Sequence, residues 1–402
     1  GKYMKNVKPV RIAVIGIGDR ATELMRTMIA TKDLSIRILC DPLDARLEDG
    51  CRVLDEAQLP RPQLVHDYRD ALLPGEIDAA IVATSWNEHV EITLEAMRRG
   101  IPCGFEVGGA SSLDECWELV RTWERTKTPC MMLENCCYGR YELAVLQMIR
   151  EGLLGEIVHC EGGYQHELGP NTVRLANVGH QRSFHHMHRN GDLYPTHEIG
   201  PISKYLQINR GNRFVTVSSV ASKCVALNKI AQRAYGDGKE KFMLGDFVTT
   251  LLRCANGETV VIRYDTSLPR PYTRSNAVHG TKGVWMELNH SIYIDGVSPA
   301  HQWEDVQPYV EKYEHPLWRD FLKEGVQGGH DGMDYLLMKA FAWSVHNGKP
   351  FPLDIYDAAT WMAVTVLSEQ SVSLAGAPLP FPDFTNGKWV MREEENKTPY
   401  SI

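Results

Sequence analysis

Over the first third of the chain, apolar β-rich runs alternate with amphipathic stretches. The runs are VRIAVIG, SIRILCD, QLVHD, IDAAIVAT, IPCGFEV and PCMMLEN, parted by patterns such as NEHVEITLEAMRRG, in which Gly100 is a helix stop. Strands alternating with helices mean βαβ units, so residues 8–135 read as one doubly wound parallel sheet. From Tyr138 the pattern changes. A helix, YELAVLQMIREGLLG, leads into longer alternating segments: EIVHCEGGYQHEL, FVTVSSVASKCVA, FVTTLLRCANGETVVIRYDT, AVHGTKGVWMEL and SIYIDG. Asn256-Gly257 is a hairpin signal between two of them. Residues 136–402 are therefore expected to form an α+β domain, its sheet largely antiparallel with helices on one face. Two helical patterns, MDYLLMKAFAWSVHNG and DIYDAATWMAVTVLSEQSVSLAG, close the fold, and Trp318, Trp343 and Trp361 are assigned to the core. An exposed sheet face would admit a homo-oligomer.

Composition narrows the partners. The 402 residues suit two domains, and 43% apolar content fills a core in each. A net charge of -8 leaves no basic field for a phosphate backbone, so nucleic acid is not an expected partner and a small molecule is. No 18-residue apolar run appears, so no membrane span is expected. The amino end lacks a signal peptide's apolar stretch, which predicts a cytoplasmic chain, although a removed export signal would leave no trace. Ten cysteines form no CxxC pair, so they read as reduced, buried thiols. His180, His185, His186 and His188 form a histidine-rich loop, but no acidic or thiol partner stands beside it. No metal site is expected there, and the loop reads as cleft lining or as solvated.

The first run leads straight into Gly16-Ile17-Gly18-Asp19-Arg20-Ala21, a GxGxxA turn opening a helix. Gly16 permits the tight turn, Gly18 lets backbone approach a pyrophosphate, and Ala21 lets helix and strand pack closely. The helix amino end faces the anion, with Asp19 and Arg20 in its first turn. Asp41 ends the second strand, where a carboxylate binds ribose hydroxyls and repels a 2'-phosphate. The domain thus reads as a Rossmann fold for NAD rather than NADP. Trp86 and His89 follow the fourth strand, and Glu106 and Val107 end the fifth, at carboxyl ends where open sheets bind ligands. Trp86 and His89 equally suit a packing pair at a helix start.

This ordering resembles the family of glucose-fructose oxidoreductase and inositol dehydrogenase, whose two-domain plan fits the whole chain. There the fifth strand ends in Glu-Lys-Pro and the second domain carries Asp-x-x-x-His. Here Glu106-Val107-Gly108-Gly109 lacks the lysine, and Leu193 stands four residues before His197, in the block Tyr194-Pro195-Thr196-His197. Those departures, with ATSWNEH, FEV, MMLENCCYGR, GGYQHEL, GDLYPTHEIGP, INRG and HDGMD, resemble glycoside hydrolase family 109 from about Arg11 to Asp334. Where relatives show His-Gly-Gly-Met-Asp, this chain has His330-Asp331-Gly332-Met333-Asp334, and the added carboxylate bears on the sugar pocket.

The resemblance implies an NAD-dependent, retaining glycosidase acting on terminal α-linked N-acetylgalactosamine. Its mechanism would oxidise sugar C3, remove the C2 proton, eliminate the leaving group, add water and return the hydride. Most glycosidases need two carboxylates, and the NAD-dependent ones are an exception. Such chemistry requires acid–base groups within about 3 Å of their protons. The resemblance places Tyr164, His166, Arg182, Tyr194, His197, Tyr272 and Asp334 around the sugar, with Glu134 and Asn135 beside the nicotinamide. His197 is assigned to the C3 hydroxyl and Tyr164 to the C2 proton, while Arg182, Tyr194 and Tyr272 position the substrate; exchanged roles remain open. If Thr196 caps a helix that His197 opens, Tyr194 and His197 meet at its first turn. Tyr164 equally suits a half-buried sheet tyrosine, His197 a helix-start hydrogen-bonder and Tyr272 a surface loop. Two other functions stay open: an NAD-dependent sugar or inositol dehydrogenase, and an NAD-binding sensor without catalysis.

Overall fold

The computed structural model describes residues 8–239, 241–325, 332–393 and 398–402, without the side chains of Gln181 and Arg182. All six apolar runs of the first third are strands: β1 (Val10–Ile15), β2 (Leu34–Cys40), β3 (Gln63–Val65), β4 (Ala79–Val82), β5 (Cys103–Phe105) and β6 (Cys130–Met132). They form one parallel sheet in the order β3-β2-β1-β4-β5-β6. The order reverses beside β1, which opens a ligand crevice at the carboxyl ends of the strands.

A nine-stranded sheet fills the second half: β7 (Ile157–Gln165), β8 (Phe214–Ala221), β9 (Val248–Cys254), β10 (Thr259–Asp265), β11 (Ala277–Gly280), β12 (Gly283–Met286), β13 (Ser291–Ile294), β14 (Glu304–Asp305) and β15 (Leu379–Pro380). Its order is β14-β13-β12-β11-β7-β10-β9-β8-β15. Every pairing is antiparallel except that of β7 with β10. The expected hairpin joins β9 to β10, with Gly257 at φ +99° in its turn. Strict burial alternation along β9 shows one face packed and the other open, as an antiparallel sheet allows.

The two carboxy-terminal helices lie at the seam. Met333–Asn347 packs on the first helix, Asp19–Thr31, while Ile355–Ser373 packs on β6, on the helix Leu113–Thr126 and on β8. Both helices are buried nearly all round, as helices enclosed on every side must be. One continuous apolar cluster consequently runs from β1 through these helices to Trp285 of β12. Trp318 and Trp361 sit in it and Trp343 packs at its edge. Among the described residues no helix is long and apolar enough to cross a membrane.

Two local expectations are corrected. The histidine-rich segment is not a loop: Gln181–His188 is a helix, with His185 and His186 buried. Thr196 is not the cap of its helix but its first residue; Pro195 takes the cap position and Thr196 is buried. The histidine-rich helix packs on the helix Gly169–Asn177, a tertiary contact that local sequence does not display.

Candidate active site

The dinucleotide end is built on the glycine turn. Gly16 has φ +89°, and a Cβ there would come within 2.8 Å of the Ala83 and Thr84 backbone, so only glycine fits. Gly18 caps the helix Asp19–Thr31 without a side-chain bond, which leaves the first-turn N–H groups free for an anion. Asp41 follows β2 and accepts the amides of Ile17 and Leu43, each at 2.9 Å. These features fit a dinucleotide.

Other residues assigned to this end meet one another. Arg20 donates through both Nη atoms to Asp334 at 2.7 Å, and its Nε stands 3.6 Å from Glu106. Asp334 also accepts from Asn135 Nδ2 at 3.1 Å, so the fold ties it to the helix Asp19–Thr31 and to the residue after Glu134. Burial pushes the Glu106 carboxyl up, and Arg20 opposes the shift. Val107, standing where the resemblance has a lysine, is buried. Gly108 explains the sequence after it: a Cβ there would meet Trp86 Cδ1 at 2.6 Å, so the bare backbone lets the indole lie across it. His89 is fully buried behind, against Phe105, and burial lowers it to about 4.

Tyrosines and histidines converge at the other end. Tyr164, the penultimate residue of β7, places its hydroxyl 3.3 Å from His166 Nδ1. The bridge between Gln165 and Thr273 staples the loop after β10 alongside, which sets Tyr272 against His166 with ring centroids 4.7 Å apart. Tyr164 and Tyr194 rings lie 4.6 Å apart. His197, in the first turn of the helix Thr196–Tyr205, holds its Nε2 3.4 Å from the Tyr194 hydroxyl. On the far side of the ring, Nδ1 lies 2.8 Å and 2.9 Å from the two oxygens of Glu134. Glu134 ends the segment after β6, is wholly buried and also accepts the Cys136 amide at 2.9 Å. Burial would raise its pKa; the His197 charge and hydrogen bond outweigh that and hold it below the ordinary value.

The pair therefore fixes a tautomer. Nδ1–H donates to the carboxylate and turns Nε2 towards Tyr194. Glu134, Cys136 and His197 also bring ligand-type atoms within 4.8 Å of one another, and burial raises the Cys136 thiol above its usual range. Arg182 and Asp331 were assigned to the sugar pocket and lie outside the described side chains. One contributor gave no signal in the sequence: Arg274 donates to the Tyr272 hydroxyl at 3.4 Å and to Glu142 at 2.7 Å, and a loop arginine has no periodic partner to mark it. His185, in the histidine-rich stretch read as cleft lining or solvated, meets Trp86 with ring centroids 5.1 Å apart. The Trp86 ring in turn stacks on Tyr194 at 6.0 Å, so one aromatic wall runs from the end of β4 to the end of β7.

A Rossmann sheet joined to a second, largely antiparallel domain, with the site at the junction, defines a two-domain NAD-binding protein of the oxidoreductase type. Residues 10–133 match the oxidoreductase family with the NAD-binding Rossmann fold. Levoglucosan dehydrogenase, solved with NADH and levoglucosan, shares the fold at TM-score 0.71 and 16% identity, over 94% of this chain and 100% of that one. An inositol dehydrogenase homologue from Azotobacter vinelandii, solved with NAD+, does so at TM-score 0.69 and 16% identity, over 93% and 98%. Residues 138–391 match the C-terminal domain of glycosyl hydrolase 109, and the chain belongs to that family. It is 41% identical to a glycosyl hydrolase family 109 protein of Stenotrophomonas maltophilia, over 96% of this chain and 91% of the relative. It is 37% identical to an α-N-acetylgalactosaminidase of Tannerella forsythia, over 96% and 88%.

Proposed function

We propose that the chain is a retaining glycosidase that cleaves terminal α-N-acetylgalactosaminides through transient oxidation of the sugar. The observation that carries this reading is the His197 imidazole set between a buried carboxylate and a phenol, with the Tyr164 ring at its side. Glu134 is wholly buried and engaged by His197, and Glu198, next in the helix, is wholly buried as well. Neither is free to flank a glycosidic bond from solvent, so these two do not form the pair that a two-carboxylate glycosidase needs.

Bound NAD supplies a reversible acceptor for the hydride of a sugar C–H bond. The residues manage protons. His197 Nε2 takes the proton of the C3 hydroxyl while Glu134 stabilises the imidazolium, and it returns that proton when the hydroxyl is restored. Tyr164 removes the C2 proton once C3 carries a carbonyl, a role supported by His166 Nδ1 beside its hydroxyl. The aglycone then leaves C1 as the C1–C2 double bond forms, its oxygen taking a proton from solvent; water adds to C1 from the same side to retain configuration, and C2 is reprotonated. Tyr194 and Tyr272 hold the ring hydroxyls, and Arg274 fixes the Tyr272 phenol.

The test is turnover of nitrophenyl α-N-acetylgalactosaminide in D2O. Expected are nitrophenol release, no build-up of the reduced nicotinamide band, and deuterium at C2 of the freed sugar. Product with C2 fully protonated would remove the elimination route, and NADH accumulating with a free sugar would make the chain a dehydrogenase. The open sheet face, where Leu251 and Val220 are 48% and 61% exposed, supports a homo-oligomer.

A further inference from the structure

Two guanidinium groups lie by the glycine turn, and the fold uses them differently. Arg20 is engaged by Asp334 and Glu106, so its charge is neutralised within the protein. Arg46 stands in the first turn of the helix Asp44–Glu56, directly after β2, and is exposed. It forms no side-chain hydrogen bond or ion pair with any described residue. Its Nη1 lies 3.4 Å from where a Cβ on Gly18 would stand, and apart from Gly18 and its chain neighbours no other described atom comes within 4 Å of that point. An unpaired, forked cation thus hangs over the uncapped amino end of the helix Asp19–Thr31. The nearby carboxylate is less available than its sequence position suggests, because Asp41 is 5% exposed and already accepts two amides.

Sheet order says which part of a dinucleotide reaches this corner. Glu134 and His197 sit beyond β6, at one edge, whereas Arg46 follows β2, on the other side of β1. A dinucleotide whose reactive ring meets His197 must lay its other nucleoside towards β2. We propose that Arg46 binds a phosphate oxygen on the adenosine half of the cofactor, acting as the cation of the glycine turn that Arg20 is not. The assignment rests on the NAD-binding reading of the first domain.

The experiment is calorimetric titration of NAD+, NADP+ and nicotinamide mononucleotide into the full chain, wild type, Arg46→Ala and Arg46→Lys. Arg46 is exposed and unpaired, so neither variant should alter the melting curve. Arg46→Ala is expected to weaken NAD+ about ten- to a hundredfold, the scale of a charge-assisted hydrogen bond, with partial recovery in Arg46→Lys. The mononucleotide, which lacks the adenosine half, should be unaffected. A loss for NADP+ alone would place Arg46 on the 2'-phosphate, which NAD+ lacks, and would overturn the proposed contact. Unchanged affinity for both dinucleotides, or an equal loss for the mononucleotide, would overturn the proposal while leaving the NAD reading intact. Wild-type protein that binds no dinucleotide would overturn both.

Discussion

At the scale of single residues, the site depends on carboxylates kept out of water. Glu134 ionises below its usual pKa, so its pairing with His197 contributes stability that is complete above the unfolded pKa and is lost as pH falls through the lower folded one. Glu134→Gln keeps the shape and loses the charge. It should fold, flatten the acid side of the stability profile, and cut turnover by about 10³- to 10⁴-fold, the scale for removing the carboxylate that orients a catalytic imidazole. Near-normal kcat in this variant would show that His197 does not need its partner. Asp192 behaves in the opposite sense. Burial raises it from 3.8 to about 7, although the Tyr194 amide donated to it pulls the other way. Its contribution is whole below pH 3.8 and drains away as pH rises to about 7, because the unfolded chain releases that proton first. Asp192→Asn should therefore gain stability relative to wild type across that interval, which paired denaturant titrations at several pH values would measure. A constant difference between the two proteins would contradict it.

At the scale of elements, the segment after β5 decides where the aromatic wall stands. Gly108 does not need a left-handed backbone; what it needs is space, because a methyl group would press on Trp86 at 2.6 Å. Gly108→Ala should displace the indole from Tyr194 and His185, cost about 1–3 kcal/mol and lower kcat/KM on the order of 10- to 100-fold. Adding Trp86→Ala should recover much of the stability and none of the activity, since the strain and the wall share one side chain. Independent, additive effects would mean the two residues do not touch in solution. The six parallel strands and the β9–β10 hairpin were legible because their periodicity and turn residues are local. The cluster of Tyr164, His166, Tyr194, His197 and Tyr272 was legible through family resemblance, and the fold does gather those five. What the sequence concealed was set by tertiary surroundings. The histidine-rich stretch is a helix because it packs on its neighbours, Asp334 turned to Arg20 across the whole chain, and Arg274 gained its role only when the loop after β10 was stapled to β7.

At the scale of the whole molecule, the carboxy-terminal helices complete the nucleotide domain from the far end of the chain. Lys339 reaches Asp33 at 2.8 Å, both nearly buried, and donates to the Thr31 carbonyl at 3.0 Å, which ties Met333–Asn347 to the end of the first helix. Phe341 of the same helix lies 3.2 Å from the Cβ position of Gly104 in β5, so glycine there lets the ring close over the sheet. Breaking the ion pair with Asp33→Asn leaves a buried ammonium without its counter-charge and should cost about 3–5 kcal/mol. A chain cut after residue 332 loses the two helices that pack on the first helix and on β6, although every residue of the glycine turn remains. That fragment should bind a hydrophobic dye, show no cooperative melt and fail to retain NAD. The intact chain should melt in one transition, and NAD at a hundred times its Kd should stabilise it by about 2.7 kcal/mol. A fragment of residues 8–332 that melted cooperatively and responded to NAD as the full chain does would show that the first sheet folds without its distant helices, and that the continuous core is not what holds the cofactor site in place.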